Sequence, residues 1–114
     1  MILKVNLSGK IYNLTVANNF IKRALGLMFK SIGENEGMIF YYKPRKIHIH
    51  TFFMKFPIDV IFLNEDNTVV DIKRNMKPWS TYQSKKYSCK MIEIKSNPSI
   101  NIKIGDKLPL NGQL

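Results

Sequence analysis

A single cysteine, Cys89, in 114 residues rules out an internal disulfide, and one thiol makes neither a redox pair nor a thiolate metal cage. Between Ser88 and Lys90 it reads as a small strand residue. Long apolar runs are also missing. A stretch such as Val60-Ile61-Phe62-Leu63 falls far short of the roughly 18 consecutive apolar residues a membrane span needs. The opening, from Met1 to Leu7, alternates apolar and polar residues and has neither the apolar centre nor the small-residue cleavage site of a signal peptide. A cytoplasmic protein that does not engage membranes is therefore expected. The sequence also has no glycine-rich phosphate loop, no Gly-x-Ser-x-Gly elbow, no His-Glu-x-x-His helix and no Cys-x-x-Cys pair. No cofactor and no metal are expected.

What is present is ordinary globular composition, 45% hydrophobic and 23% charged, which excludes the disordered class. A chain of 114 residues is one domain's length, 1–114, too short for a cofactor lobe plus a substrate lobe. The formal charge of +10 invites a nucleic-acid reading, since Lys and Arg gain affinity by displacing counterions from phosphates. Against it, the basic residues are mostly Lys alongside many Asn and Ile, the pattern of AT-biased coding. Lys4, Lys10, Lys22, Lys43, Lys73 and Lys103 are scattered like a solvated surface. The densest stretch is 73–90, where Lys73, Arg74, Lys77, Lys85, Lys86 and Lys90 are interleaved with Trp79, Tyr82 and Tyr87. Such a mixture can stack bases and hold phosphates. It is equally a long, irregular, mobile loop with Trp79 as its one anchor on the domain, and that geometry is the one expected.

Ile2 to Leu7 and Lys10 to Val16 are β-rich runs split by Ser8-Gly9, a pair suited to a tight hairpin. Asn18 to Gly26 reads as a short helix with an Asn cap, with Phe20, Ile21, Ala24 and Leu25 on one face. Gly37 to Tyr42 reads as a strand, Lys43-Pro44-Arg45 as an interruption, and Ile47 to Thr51 as an alternating strand. Phe56-Pro57 marks another break. The unbroken apolar run Ile58 to Leu63 needs cover on both faces, and Asn64-Glu65-Asp66-Asn67 turns the chain into Thr68 to Ile72, the clearest hairpin. Met91 to Ile94 is a further strand, Asn97-Pro98 opens a helical turn, and Gly105-Asp106 makes a late turn. Around seven strands without regular strand-helix alternation predict a mostly β (α+β) fold. The expected form is an antiparallel sheet curled into a small barrel-like domain with one or two short helices.

A polar set stands inside apolar segments: Arg23, His48, His50, Asp59 and Glu93. His48 and His50 project from one face of a strand, a geometry that holds Zn or Cu if Asp59, Met54 or Glu93 supplies a third ligand. A half-exposed strand shows the same pattern without metal. Asp59 enters the most apolar strand, so its carboxylate must be paired or hydrogen-bonded. The Phe56-Pro57 turn amides or Arg23 can serve, and Arg23 is alternatively a helix-end cation or an anion clamp.

The segments Arg23-Ala24-Leu25-Gly26-Leu27-Met28-Phe29, Gly37-Met38-Ile39-Phe40 and the run from His50 through Met54 to Leu63 resemble the signature of domain of unknown function 192. That family is also called uncharacterised protein family 0127. The similarity continues through Val69-Val70, Pro78-Trp79 and Ile92-Glu93-Ile94 to Ile104-Gly105-Asp106. The His-Thr-Phe-Phe-Met form is similar to the archaeal branch; many bacterial relatives have a Trp-Met pair there and carry export signals. Relatives usually place a Gly shortly after the strand matching Ile92-Glu93-Ile94, and here Asn97 is expected to take a left-handed turn in its place. The resemblance implies a compact β-rich fold and no particular activity.

The expected function is a monomeric binding module for a small molecule or peptide. Its ligand-binding candidates are Arg23, Met28, His50, Met54, Asp59 and Trp79, with Phe53 beside them. Nucleic-acid binding through Lys73, Arg74, Lys77, Lys85 and Lys86 is the second reading. An enzyme using His50 and Asp59 as an acid-base pair is the third, although no nucleophile is evident. Asp59 is expected to meet Arg23 or the Gly26-Leu27-Met28 turn.

Overall fold

The structure is a computed structural model, and it describes residues 2–17, 33–52 and 54–113. The chain begins with a hairpin of β1 (Ile2–Leu7) and β2 (Lys10–Ala17), joined by Ser8 at φ 58° and Gly9 at φ 88°. Positive φ at both turn residues matches the right-handed twist of the paired strands. The Asn6 side chain secures the turn, its Oδ1 accepting from the Gly9 amide at 2.7 Å. Then follow β3 (Glu36–Arg45), β4 (His48–His50), β5 (Ile58–Leu63), β6 (Val69–Met76), β7 (Thr81–Gln83), β8 (Ser88–Lys95) and β9 (Asn111–Gln113).

Seven of these strands form one sheet in the order β6-β5-β8-β3-β2-β1-β9, and β4 pairs with β7 as a separate ribbon. The expected barrel is therefore wrong: β6 and β9 are the two edges of an open sheet. The expected antiparallel sheet is also corrected at one pair, because β2 and β3 run parallel. Closure is unnecessary because both faces are covered. One face carries Leu14, Val16, Ile39, Ile61 and Ile92 and is packed by Ile100 and Leu108 of the C-terminal segment. The other carries Met38, Phe40, Val60, Phe62 and Met91 and packs on Ile47 and Ile49 of the β4 region. Every residue of β5 is buried, paired with β6 on one side and β8 on the other, as its unbroken apolar composition requires. Gly37 is dictated by close approach: a Cβ there would lie 2.5 Å from the Glu93 carbonyl oxygen of β8.

Several local expectations change. β3 runs on through Lys43-Pro44-Arg45, because its register with β8 shifts between Tyr41 and Arg45, where a proline disturbs no regular ladder. The stretch 73–90 is largely strand: Lys73 to Met76 complete β6, Thr81–Gln83 is β7 and Ser88 opens β8. Its lysines disguised an edge strand, where charged side chains are normal. Trp79 touches the rest of the domain through its stack on Phe52 and its amide bond to the Thr51 carbonyl, with its side chain 62% exposed. Finally, Asn97 and Pro98 make a tight turn, not a helix, with the Ile100 amide donating to the Asn97 carbonyl at 3.1 Å. Asn97 is not left-handed either; its side chain accepts from the Ser99 amide at 3.0 Å. Among the described residues there is no helix, and the expected helix from Asn18 to Gly26 lies outside them.

Candidate functional site

Two polar constellations stand at the same end of β5 and β6. The first is organised by Thr51, buried just after β4. Its hydroxyl donates to the Lys77 carbonyl at 2.6 Å and accepts from the Ser80 amide at 2.9 Å. Its amide donates to the Ser80 carbonyl at 2.9 Å, and its carbonyl accepts from the amides of Trp79 at 3.0 Å and Met54 at 3.1 Å. One threonine thus ties the loop before β5 to the loop after β6. The tie holds Trp79 at φ 62°, a left-handed conformation that a bulky residue adopts only when its surroundings enforce it.

On this base, among the described residues, three rings stack in series. His50 and Phe52 lie 4.6 Å apart at 28°, and Phe52 and Trp79 5.6 Å apart at 28°. The Phe52 amide donates to His50 Nδ1 at 3.3 Å, so a neutral imidazole carries its proton on Nε2. His50 and Phe52 stand on the exposed side of their segment, and Trp79 is 62% exposed.

The second constellation is a clamp around Asp59, which is 2% exposed. A β-bulge builds it: Ile58 pairs with Met76 and Val60 with Lys73, so Asp59 alone opposes both Arg74 and Asn75. Its Oδ1 accepts from the Asn75 amide at 2.8 Å, while its Oδ2 accepts from the Asn97 amide at 3.1 Å and meets Arg74 Nε at 3.3 Å. The remaining Arg74 nitrogens donate to the carbonyls of Ile100 at 2.7 Å and Asn97 at 2.8 Å. The clamp joins the sheet to the segment that covers it. A cleft of about 560 Å³ lies alongside, lined by Pro57, Asp59, Arg74, Asn75, Ser96 and Pro98, but the charged groups in its wall already satisfy one another.

Two further carboxylates are buried. Asp71 accepts from the Tyr82 hydroxyl at 2.7 Å, the Lys85 amide at 2.9 Å and the Ile72 amide at 2.9 Å, fastening the β4–β7 ribbon to the sheet. Burial first, then the hydrogen bond and charge of Asp71, push the Tyr82 phenol up to about 12. Glu93 lies in register between Met38 and Val60 on the face that packs the ribbon. Among the described residues no group donates to its carboxyl, and burial pushes it up to about 8.

Of the expected ligand-binding residues, His50 and Trp79 come together, bridged by Phe52, which is not among the expected candidates. The alternation His48, His50, Phe52 was the available signal for a shared face. Met54 is buried in the core. Asp59 belongs to the clamp, where it shares the opposite sheet face with Ile94. Arg23, Met28, Phe53 and the Gly26-Leu27-Met28 turn lie outside the described residues; the arginine found on Asp59 is Arg74. Among the described residues no hydrogen bond joins His50 to Asp59, and no three His, Cys, Asp or Glu side chains gather as a metal site. Of the nucleic-acid candidates, Arg74 is held in the clamp and Lys73 lies 5.7 Å from the Tyr82 ring, whereas Lys77, Lys85 and Lys86 are exposed. No helix among the described residues is long and apolar enough to cross a membrane.

Fold and site together define a small open-sheet β protein that carries a fixed aromatic surface on two tied loops. The chain belongs to the DUF192 family, described as Uncharacterized ACR, whose profile matches residues 2–110. Archaeal relatives include UPF0127 proteins of Pyrococcus abyssi, 38% identical over 82% of this chain and 81% of the relative, and of Pyrococcus horikoshii, 42% identical over 82% and 83%. A crystal structure of a protein of unknown function from Novosphingobium aromaticivorans is 27% identical, with a TM-score of 0.84 over 95% of this chain and 84% of that one.

Proposed function

We propose that the protein is a cytoplasmic, monomeric binding module that takes a small molecule or peptide by stacking one of its rings on the His50–Phe52–Trp79 series. The observation that supports this is the series itself: among the described residues three rings stack in succession and include an indole that is 62% exposed on a left-handed backbone. Left-handed geometry at a non-glycine residue costs about 1 to 2 kcal/mol, and fully burying an aromatic side chain is worth about as much or more. A protein selected for stability alone would turn that ring inward. Holding it outward with Thr51 prepares a surface whose ordering cost is met before any ligand arrives.

Trp79 is the only tryptophan, so its emission reports on this surface alone. Titration with a panel of ring-bearing small molecules and aromatic peptides is expected to quench or shift the emission saturably. Phe52→Ala, which removes the middle ring, is expected to weaken the response at least tenfold. An emission unmoved by every member of the panel at millimolar concentration would sink the reading.

A further inference from the structure

Resting on the reading of the ring series as a binding surface, we infer that its ligand is a flat ring carrying an anionic group, the chemistry of a nucleotide. The basis is charge placement around the rings. The segments that build the surface, 48–58 and 72–92, contain no Asp or Glu, while Arg74 is taken up by the Asp59 clamp, Lys73 lies over the Tyr82 ring and Lys90 is bonded in the β5–β6 turn, leaving Lys55 and Lys77 on the two loops themselves. Each of the two tied loops has its own exposed lysine, Lys55 in one and Lys77 in the other, and among the described residues neither ammonium has a hydrogen bond or ion pair. Lys77 stands two residues before Trp79, and its backbone is fixed there, since its carbonyl accepts the Thr51 hydroxyl at 2.6 Å.

The carboxylates adjoining these segments are turned inward. Asp59 is enclosed by two amides and Arg74, and Asp71 by the Tyr82 hydroxyl and two amides. Glu93 is buried in the sheet face. The exposed acids Glu65 and Asp66 occupy the turn between β5 and β6, whereas the rings stand at the other end of those strands, beside the Ile58–Met76 pair. A six-residue strand is about 20 Å long, beyond the screening length at physiological salt. Glu34 and Glu36 lie two strands across, where Glu34 shares a cleft with Lys10 and Lys95. A ring approaching Trp79 therefore meets uncompensated positive charge on both loops. A neutral ring gains only the stack; an anionic one gains both. Aromatic rings beside lysines are the combination that retains nucleotides, stacking the base and attracting the phosphate.

The test titrates the full chain with adenosine, AMP, inorganic phosphate and a short oligo(dA), following Trp79 emission excited beyond the nucleotide absorption band. AMP is expected to bind at least tenfold more tightly than adenosine, with the gap narrowing as salt is raised. Lys55→Gln with Lys77→Gln is expected to abolish most of that gap while leaving adenosine affinity and the melting temperature unchanged. Tighter binding of oligo(dA) than of AMP at equal nucleotide concentration would identify the source as a strand, and equal binding a free nucleotide; both sustain the inference. Equal affinity for adenosine and AMP would overturn it while leaving the ring surface standing. Failure of all nucleotides together with a positive response to neutral rings would overturn it likewise, and failure of every ring would remove the underlying reading as well.

Discussion

The Asp59 clamp and the Thr51 hub perform one task in opposite ways. Each uses a single buried polar side chain to join segments distant in sequence, and they sit close together at one end of the sheet. The clamp directs its bonds inward: a carboxylate, an arginine and two backbone amides satisfy one another and pin the C-terminal segment on the core. The hub satisfies only backbone, and by doing so leaves the rings on its loops facing out. Conspicuous polar residues in an apolar segment thus include some that hold the fold and some that prepare a surface. The distinction lies in what their partners leave exposed.

The largest effect is expected where the clamp is broken. Removing the Asp59 carboxylate leaves the amides of Asn75 and Asn97 without their acceptor, so Asp59→Ala should destabilise the fold by about 3 kcal/mol and Asp59→Asn by about 1 to 3 kcal/mol. Urea denaturation followed by far-ultraviolet circular dichroism measures both. If the clamp is purely structural, ligand response at Trp79 in the folded fraction stays unchanged; a lost response at retained stability would merge the two constellations into one site.

Glu93 sharpens the contrast because it is buried with no donor among the described residues. Its carboxyl is pushed up from 4.5 to about 8, so between those values the folded state holds a proton that the unfolded state releases. Stability from this group is accordingly greatest at the acid end of the window and falls as pH rises. Between pH 5 and pH 7 the loss is about 2 to 3 kcal/mol. Glu93→Gln should flatten that part of the stability profile relative to the parent. Parallel profiles for the two proteins would mean that Glu93 is hydrated or paired when folded.

Legibility in the sequence followed the range of the interaction. Ser8-Gly9 and the apolar run Ile58 to Leu63 announce a hairpin and a doubly covered strand because turn chemistry and burial pattern are local. The need for a partner at Asp59 was equally readable. Its identity was not, because Arg74 reaches Asp59 through a bulge that exists only once the β5–β6 register is set. The parallel β2–β3 pair and the open sheet depend on segments far along the chain that cover each face, and no spacing encodes those. The ring series was half visible: Trp79 and His50 stood out as candidates, but their stacking through Phe52 follows from Thr51 drawing together loops whose residues lie 26 or more positions apart.

A milder effect tests the hub. Thr51→Val keeps the shape of a buried side chain and leaves the Lys77 carbonyl and the Ser80 amide without their side-chain partner, which should cost about 1 to 3 kcal/mol. The more telling readout is Trp79. Its emission should shift to the red and its anisotropy fall in the still-folded variant, since the indole loses its fixed backbone. Unaltered emission would show that the rings hold their positions without the hub.

The smallest expected effect concerns Trp79 itself, where two contributions oppose each other. Its stack on Phe52 stabilises the fold by about 0.5 to 1.5 kcal/mol, while its left-handed backbone costs about 1 to 2 kcal/mol. Trp79→Gly removes both and should leave stability within about 1 kcal/mol of the parent, whereas Trp79→Ala removes the stack and retains the strain. The glycine variant should therefore be the more stable of the two by about 1 kcal/mol, a difference that chemical denaturation followed by circular dichroism can measure. Both should lose ring binding equally, followed now by calorimetry because the fluorophore is gone. Equal stabilities for the two variants would mean that the φ of 62° relaxes once the indole is removed, so that the ring, and not Thr51, imposes the conformation.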